Sequence, residues 1–144
     1  YINVYAKAQK RGLQLDSHAS SDSLDFNEWL SVEVDSSESK LVVGGTFYGA
    51  SMAPRIVQVN EYRVEVIPQG VILMNQNADK PGVVAKVSAL LSRYSVNIAN
   101  MTLDRSKVCG RAMMVLNLDD VPPAEVVEEL KKEPDIFDSR VIVL

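Results

Sequence analysis

The sequence predicts an α+β fold, and its C-terminal half is expected to hold one sheet and two helices in the order β-α-β-β-α-β. Four segments of strand length begin at Val71, Val96, Ala112 and Ile136, and those at Val71 and Ala112 open with apolar runs. After the first and third segments, apolar residues instead recur every three or four positions, which is the period of a helix with one buried face. Strands and helices in this order form the ferredoxin-like, or split βαβ, fold.

The first of these helices is predicted at Pro81-Gly82 and beyond. Pro81 suits a first helical turn, where its missing N–H costs nothing. The apolar face of this helix consists of Val83, Val84, Val87, Leu90, Leu91 and Tyr94. The second helix starts at Asp119–Pro123 and ends at Pro134, and its inner face is formed by Val126, Val127 and Leu130.

The strand Ala112–Leu118 between these helices is almost continuously apolar. A strand with one face in water alternates apolar and polar residues, so we expect both faces of this strand to be covered. The helices would cover one face and a partner sheet the other. Such a strand supports self-association whether or not a ligand binds.

The N-terminal half predicts a smaller set of elements. A helical segment within Tyr1–Leu15 is expected to stop at Gly12, which suits a left-handed C-cap. Leu30–Asp35 alternates apolar and polar residues, as a half-buried strand does. A second strand, Leu41–Val43, is expected to end at Gly44-Gly45.

Two further strands, Arg55–Val59 and Tyr62–Ile67, face each other across Asn60-Glu61. A two-residue type I′ turn prefers Gly at its second position. Glu61 at a positive φ would cost about 1 kcal/mol there, so we expect a wider turn.

Length and composition limit the class of protein. A chain of 144 residues can bury one good core or two small ones. Pro68-Gln69-Gly70 interrupts the pattern, and we place a domain boundary there, with domains over 1–69 and 70–144.

The net charge of −4 argues against a nucleic-acid surface. No apolar run approaches the ~20 residues that span a bilayer. The single cysteine, Cys109, excludes an internal disulfide and fits a reducing compartment, so we expect a cytoplasmic protein. The chain opens at Tyr1 without a signal peptide, as a piece of a longer protein would.

Three polar residues, Asn77, Asp79 and Asn97, lie at the joints of the first strand, the first helix and the second strand. A helix N-terminus offers N–H groups and partial positive charge to a carboxylate. Asp79 can accept from an ammonium, and an Asn amide both donates and accepts. This set therefore suits a small zwitterion. The alternative is that Asp79 only caps the helix and that the Asn residues only fill turns.

Several segments resemble one family. The segment NADKPGVVAKVSALLSRYSVNIANM is similar to the D-x-P-G…V-N-I signature of ACT domains, which bind amino acids. The flanking segments GGTFYGASMAPRIVQVNEYRVEVIPQG and GRAMMVLNLDD, with AKAQKRGLQL and WLSVEV, resemble the C-terminal region of long (type 1) D-3-phosphoglycerate dehydrogenases. There an intervening, allosteric substrate-binding domain precedes the ACT domain.

The resemblance implies a regulatory region of an NAD-dependent enzyme that starts L-serine biosynthesis. It implies that L-serine binds between the ACT domains of adjacent subunits and inhibits, and that ACT and intervening domains associate. The matching effector positions are Asn77, Asp79, Lys80, Gly82, Val83 and Asn97. Asp79 would take the ammonium, Asn97 the ammonium or the hydroxyl, and the helix N-terminus the carboxylate. Two residues depart from the family: Asn77 stands where relatives often carry His or Tyr, and Ser95 replaces a glycine.

Some relatives also bind an anion in the intervening domain. Lys40, Arg55 and Arg63 are the matching candidates, and arginine pairs with phosphate or carboxylate through two parallel hydrogen bonds. The alternative is plain surface charge beside Glu61 and Glu65.

Catalytic chemistry finds little support in this chain. His18 is the only histidine, no Cys/His set has metal-ligand spacing, and Cys109 has no nearby histidine base. Gly44-Gly45 fits neither a P-loop nor a dinucleotide-binding motif. We therefore expect no cofactor, metal or catalytic residue in this chain, with NAD and catalysis elsewhere in the parent enzyme.

Three other readings compete with the dehydrogenase. L-serine dehydratase β chains carry related domains, although the segment PRIVQVNEYRVEV favours the dehydrogenase. A purely structural dimerisation module would have the same fold without a working ligand site. A sheet-based RNA-binding module has the same strand order, but the acidic charge and the lack of an aromatic pair on the third strand argue against it.

Overall fold

The computed structural model describes residues 4–17, 19, 29–37, 39–49 and 51–144. These residues form three helices and eight strands. In chain order they are α1 (Val4–Lys10), β1 (Leu30–Asp35), β2 (Lys40–Tyr48), β3 (Ala53–Val59), β4 (Tyr62–Val66), β5 (Val71–Ala78), α2 (Val83–Arg93), β6 (Ile98–Arg105), β7 (Arg111–Leu118), α3 (Ala124–Lys132) and β8 (Ile136–Val143). His18 lies outside the described residues.

The predicted ferredoxin-like fold of the C-terminal half is confirmed. Its four strands pair antiparallel in the order β6-β7-β5-β8, with β7 and β5 at the centre. α2 buries Val83, Val87 and Leu91 against one face of this sheet, and α3 buries Val126 and Leu130 there. Val84, Leu90 and Tyr94 pack around this core, as the helical period predicts.

α2 begins two residues later than Pro81 suggested. The helix starts at Val83, and its N-cap is Gly82, whose φ of 90° lies in the left-handed region. Pro81 therefore lies in the turn before the helix, not in its first turn. Glycine at 82 is what permits this turn, because L side chains avoid that conformation.

The first sheet is a meander in the order β1-β2-β3-β4. The expectation that β2 ends at Gly44-Gly45 is wrong, because the strand continues to Tyr48. The register with β3 shifts between these glycines, because Val57 is an extra residue on β3, so the bulge lies on β3 opposite the two glycines. The ring of Trp29 packs on Gly44 so closely that a Cβ there would collide with it. The missing side chain of Gly44 thus makes room for Trp29.

The expectation that β1 is half-buried is also wrong. Leu30, Val32 and Val34 share one face of this edge strand, but all three are exposed in the single chain. The alternation of apolar and polar residues predicted the strand itself correctly, but no other described element covers the apolar face of β1. α1 ends as predicted, since Gly12 has a φ of 69°.

The hairpin between β3 and β4 keeps two turn residues, so the expected wider turn does not form. Val59 pairs directly with Tyr62, and the positive φ falls on Asn60 (52°), not on Glu61. Asn60 tolerates this conformation, and its Oδ1 accepts from the backbone N–H of Val42 at 2.9 Å. The strain expected at Glu61 is avoided because Asn60 adopts the left-handed conformation.

β7 is buried on both faces, as predicted, but both covers come from the same chain. Met114 and Leu116 face the helices, while Met113 and Val115 pack with Tyr62, Val64 and Val66 of the first sheet. The partner sheet expected from another subunit is therefore the chain's own β3–β4 hairpin. The apolar run in β7 is no evidence for assembly.

Side chains of the second sheet also close the open edge of β4. The backbone N–H groups of Arg63 and Glu65 donate to Asp104 Oδ2 (2.7 Å) and Thr102 Oγ1 (3.3 Å) on β6. Asn117 bonds both the N–H and the C=O of Ile67. Unpaired strand edges invite association with other chains, so these bonds protect β4 and join the two sheets.

Tyr62 is fully buried among these sheets, and its hydroxyl has no partner among the described residues. An unpaired buried hydroxyl is destabilising. We therefore expect Tyr62→Phe to leave the free energy of unfolding unchanged or to raise it by about 1 kcal/mol, measured by urea denaturation. Tyr94→Phe is the matched control, because the Tyr94 hydroxyl donates to Glu129 at 2.7 Å and its loss should lower the midpoint. A clear loss of stability in Tyr62→Phe would contradict an unpaired hydroxyl.

Candidate functional site

The predicted effector residues occupy the two ends of α2. The first group lies in the turn from β5 into the helix. Asp79 does not cap the helix: its Oδ2 accepts from the backbone N–H of Cys109 at 2.9 Å and from Arg105 Nη1 at 3.2 Å. Asp79 therefore holds the β6–β7 turn against the start of α2, and the simple capping alternative does not apply.

Asn77 and Lys80 complete this end. Asn77 is 2% exposed, its Nδ2 donates to the carbonyl of Ala78 at 2.8 Å, and its Oδ1 is buried without a partner among the described residues. Lys80 Nζ bonds Asp135 Oδ1 at 2.7 Å, and this bond lowers the pKa of Asp135. Val83 is buried, so only its backbone is available to a ligand.

The start of α2 is basic. Besides Lys80, the nearby strand ends carry Arg105 and Arg111, and Lys86 lies on the first turns of the helix. The hydrogen bond that Lys86 Nζ donates to Glu133 Oε2 at 2.6 Å raises the pKa of Lys86. Lys80, Lys86 and Arg105 each pair with a carboxylate, so Arg111 supplies the local excess of positive charge. Together with the positive end of the helix dipole, this excess favours an anionic group here.

The second group lies at the C-terminal end of α2. Asn97 lines an open groove of about 350 Å³ together with Ser88, Ser92, Ser95, Val96 and Ile98. Its Nδ2 donates to Asp119 Oδ2 at 2.7 Å, and the backbone N–H of Asp119 donates to the carbonyl of Asn97 at 3.2 Å. This end of the helix therefore combines hydroxyls, an amide and a carboxylate.

One chain does not bring the two groups together. Asn77 pairs with Ala112 on β7, whereas Ile98, next to Asn97, pairs with Leu118. Six residues of strand separate these points, which corresponds to about 20 Å. A small amino acid cannot contact both ends of α2 in the same chain, so each end is at most half of a site.

Ser95 has the strained backbone that its departure from the family predicts, with a φ of 57°. Its N–H bonds Ser92 O at 2.9 Å and the Val96 N–H bonds Leu91 O at 3.0 Å, which is the Schellman pattern that favours glycine. We expect Ser95→Gly to raise the free energy of unfolding by about 0.5–1 kcal/mol. Ser92→Gly, inside the helix, is the control and should have the opposite effect. A destabilised Ser95→Gly would show that the hydroxyl outweighs the strain.

The three anion candidates do not form one cluster. Lys40 forms a salt bridge with Glu33 at 2.8 Å and lies opposite Asp35. Arg55 lies opposite Thr46, which is six residues further along β2 than Lys40. Arg55 Nε lies 3.9 Å from Glu65 Oε1, beside a groove lined by Trp29, Phe47 and Pro54. Arg63 lies opposite Gln58, nearer to Arg55.

Other chemistry has little basis among the described residues. They contain no group of His, Cys, Asp or Glu that could hold a metal ion, and none of their helices is long and apolar enough to cross a membrane. Gly44 and Gly45 lie within β2, not in a strand-to-helix turn, so they do not fit a dinucleotide phosphate.

The chain is similar in sequence to known proteins. Residues 71–135 match the family model described as the ACT domain. The chain is also similar to curated proteins named D-3-phosphoglycerate dehydrogenase. It is 31% identical to that of Methanocaldococcus jannaschii over 143 residues, 32% to that of Archaeoglobus fulgidus over 145, and 30% to that of Bacillus subtilis over 143. Each alignment covers 99% of this chain and 27% of the relative.

The resemblance in the sequence is therefore confirmed. The C-terminal half is a ferredoxin-like ACT domain, and the whole chain matches the C-terminal end of D-3-phosphoglycerate dehydrogenases. The chain spans about a quarter of the length of these relatives.

Two residues of the candidate site, Arg105 and Asp119, are not among those predicted from the sequence. Asp119 was expected only to start a helix, and Arg105 was given no role. The sequence did offer a signal for Asp119. β7 ends directly before Asp119, and its antiparallel neighbour β6 begins directly after Asn97. Antiparallel neighbours place the end of one strand beside the start of the other.

Proposed function

We propose that this chain is the regulatory region of an NAD-dependent D-3-phosphoglycerate dehydrogenase, and that it binds L-serine between the ACT domains of two subunits. The similarity to enzymes of that name supports the parent, and it favours the dehydrogenase over an L-serine dehydratase. NAD and catalysis belong to other parts of the parent, in a cytoplasmic enzyme. Residues 1–69 and 70–144 would be its intervening and ACT domains.

The edge position of β6 is the observation that carries this proposal. β6 has one neighbour in its sheet, so its outer edge offers unpaired backbone groups. Met101 and Leu103 lie on the helix side of this edge, and they are 43% and 46% exposed. An open edge with apolar side chains is suited to pairing with a second copy.

Pairing of two β6 edges would complete the site. In a two-fold symmetric, antiparallel pair, the start of one β6 lies at the end of the other. Asn97 precedes the start of β6, and Arg105 at its end bonds Asp79. Asn97 of one copy would then lie near Asp79 and the α2 N-terminus of the other. Two half-sites that are about 20 Å apart in one chain become neighbours.

This arrangement suits a zwitterion. The basic start of α2, with the backbone of Lys80, Gly82 and Val83, would take the carboxylate. Asp79, Asn77 and the partner copy's Asn97 would take the ammonium and the hydroxyl. Because the ligand touches both copies, it would stabilise one arrangement of them, and a coupling of ~1–3 kcal/mol suffices for feedback control.

Isothermal titration with L-serine tests the proposal, with glycine and L-alanine as competing ligands. We expect saturable binding that favours L-serine and is abolished by Asn97→Ala. Asn100→Ala is the matched control, because the side chain of Asn100 donates to the carbonyl of Glu65 instead of lining the groove. The absence of heat at millimolar L-serine, together with an unchanged melting temperature, would contradict an L-serine site.

A structural dimerisation module is the second candidate. The exposed edge of β6 would support association without any ligand. Leu30, Val32 and Val34 form an exposed apolar face on β1. A dimerisation module could therefore also associate through the intervening domain. A dimer that binds no amino acid would favour this candidate.

The anion site is a weaker proposal, which we restrict to Arg55 and Arg63. They lie on neighbouring strands beside Glu65, whereas Lys40 is about 20 Å away along β2.

A further inference from the structure

Two hydrogen bonds join Asn97 to Asp119, which is 22 residues later in the chain. One runs from the amide Nδ2 of Asn97 to the carboxylate Oδ2 of Asp119 at 2.7 Å, and the other joins their backbones. A rotated amide would place Oδ1 against the carboxylate at the same short distance. Two acceptors repel each other, so the carboxylate fixes which way the amide points.

The orientation of the amide decides what this end of the groove can bind. Nδ2 is held by Asp119, which does not line the groove, whereas Asn97 does. The amide oxygen is therefore turned away from Asp119 and remains available as an acceptor. An acceptor pairs with an ammonium or a hydroxyl, but it repels a carboxylate.

The local charge favours the ammonium over the hydroxyl. The carboxylate of Asp119 lies directly behind the amide, and the groove follows the last turns of α2, whose C-terminal end carries partial negative charge. The opposite end of the helix is basic. A zwitterion between two antiparallel copies would thus meet a cation-binding half-site from one copy and an anion-binding half-site from the other.

We propose that Asp119 is a positioning residue of the effector site: it holds the oxygen of Asn97 toward the groove and makes this half-site selective for the ammonium group of an amino acid. The proposal rests on the proposed function, because it assumes that Asn97 contacts the effector. Asp79, whose Oδ2 is engaged by Cys109 and Arg105, then need not be the principal acceptor for the ammonium.

Titrations with two ligands test this role. L-Serine carries the ammonium, and 3-hydroxypropionate has the same carboxylate and hydroxyl without it. We expect Asp119→Ala to weaken L-serine binding by at least about tenfold, the usual size of an effect on a charge-assisted hydrogen bond, while 3-hydroxypropionate binding changes little. Asp119→Asn keeps an oxygen that can accept from Asn97, so it should lose only about two- to threefold. Asp120→Ala is the control for a nearby negative charge. Sedimentation of each variant confirms that its assembly matches the wild type.

The outcomes separate the two proposals. Wild-type affinity for L-serine in Asp119→Ala overturns the role of Asp119 and leaves the effector site standing. Equal losses for both ligands in Asp119→Ala and Asp119→Asn also overturn it, since they show a general structural effect. If the wild-type chain binds no L-serine, the proposed function itself fails, and this inference fails with it.

Discussion

Leu103→Lys is expected to abolish self-association through the second sheet. Leu103 lies near the middle of the edge strand β6, where pairing with a second copy would bury its 46% exposed side chain. A lysine at this point places two like charges close together across the two-fold axis and removes apolar contact. Sedimentation velocity should show a dimer for the wild-type chain and a monomer for the variant, and L-serine binding should be lost with the dimer.

Val143→Lys is the matched control for this prediction. Val143 lies on β8, the opposite edge of the same sheet, and is 63% exposed. The substitution adds the same charge at the end of the other edge strand, so we expect it to leave the dimer intact. A dimer that survives Leu103→Lys but dissociates in Val143→Lys would show that the copies associate through β8 and not through β6, which contradicts the proposal.

Leu116→Ala is expected to have the largest effect on stability. Leu116 lies on the central strand β7, is fully buried, and belongs to the core between the sheet and both helices. Truncation of such a side chain removes apolar contacts and leaves a cavity, and it costs about 2–5 kcal/mol. Many domains of this size have about 5–15 kcal/mol in total, so the urea midpoint should fall sharply.

Val108→Ala provides the comparison for Leu116→Ala. Val108 is 69% exposed in the turn between β6 and β7, and its truncation should change the free energy of unfolding by less than about 0.5 kcal/mol. If Leu116→Ala cost no more than Val108→Ala, the described core would be wrong.

The C-terminal half was predictable because its local signals agree with its tertiary packing. The helical spacing of Val83, Val87 and Leu91 identified both α2 and its buried face. The continuous apolar run of β7 identified a central strand. In this half the family resemblance also singled out Ser95, which replaces a glycine and has a φ of 57°.

The first sheet was harder because its pattern depends on contacts that are distant in sequence. Gly44-Gly45 resembles a strand end, but Gly44 makes room for Trp29, which a local pattern does not reveal. The partner sheet for β7 was expected from another subunit, because nothing local shows that β4 packs on it. Asp119 is an intermediate case: the antiparallel order of β6 and β7 places it near Asn97, but the hydrogen bond between the two side chains depends on the register of these strands.

The separation of the effector residues also depends on tertiary structure. Asn77, Asp79 and Asn97 lie within a short stretch of sequence, yet the helix between them carries the last residue to the opposite end of the sheet. The sequence could identify the residue types that suit an amino acid. It could not show that two copies are needed to assemble them.

The central claim, that each L-serine site is shared between two copies, is tested most directly by mixing two inactive variants. Asp79→Ala removes the carboxylate that holds the β6–β7 turn at the start of α2, and Asn97→Ala removes the amide of the other half-site. Each variant should therefore fail to bind L-serine, with thermal melts confirming that both are folded. When they are unfolded and refolded together, half of the dimers contain one copy of each, and each mixed dimer regains one intact site. Isothermal titration should then recover about a quarter of the wild-type sites at wild-type affinity. No recovery, with mixed dimers present, would contradict a shared site.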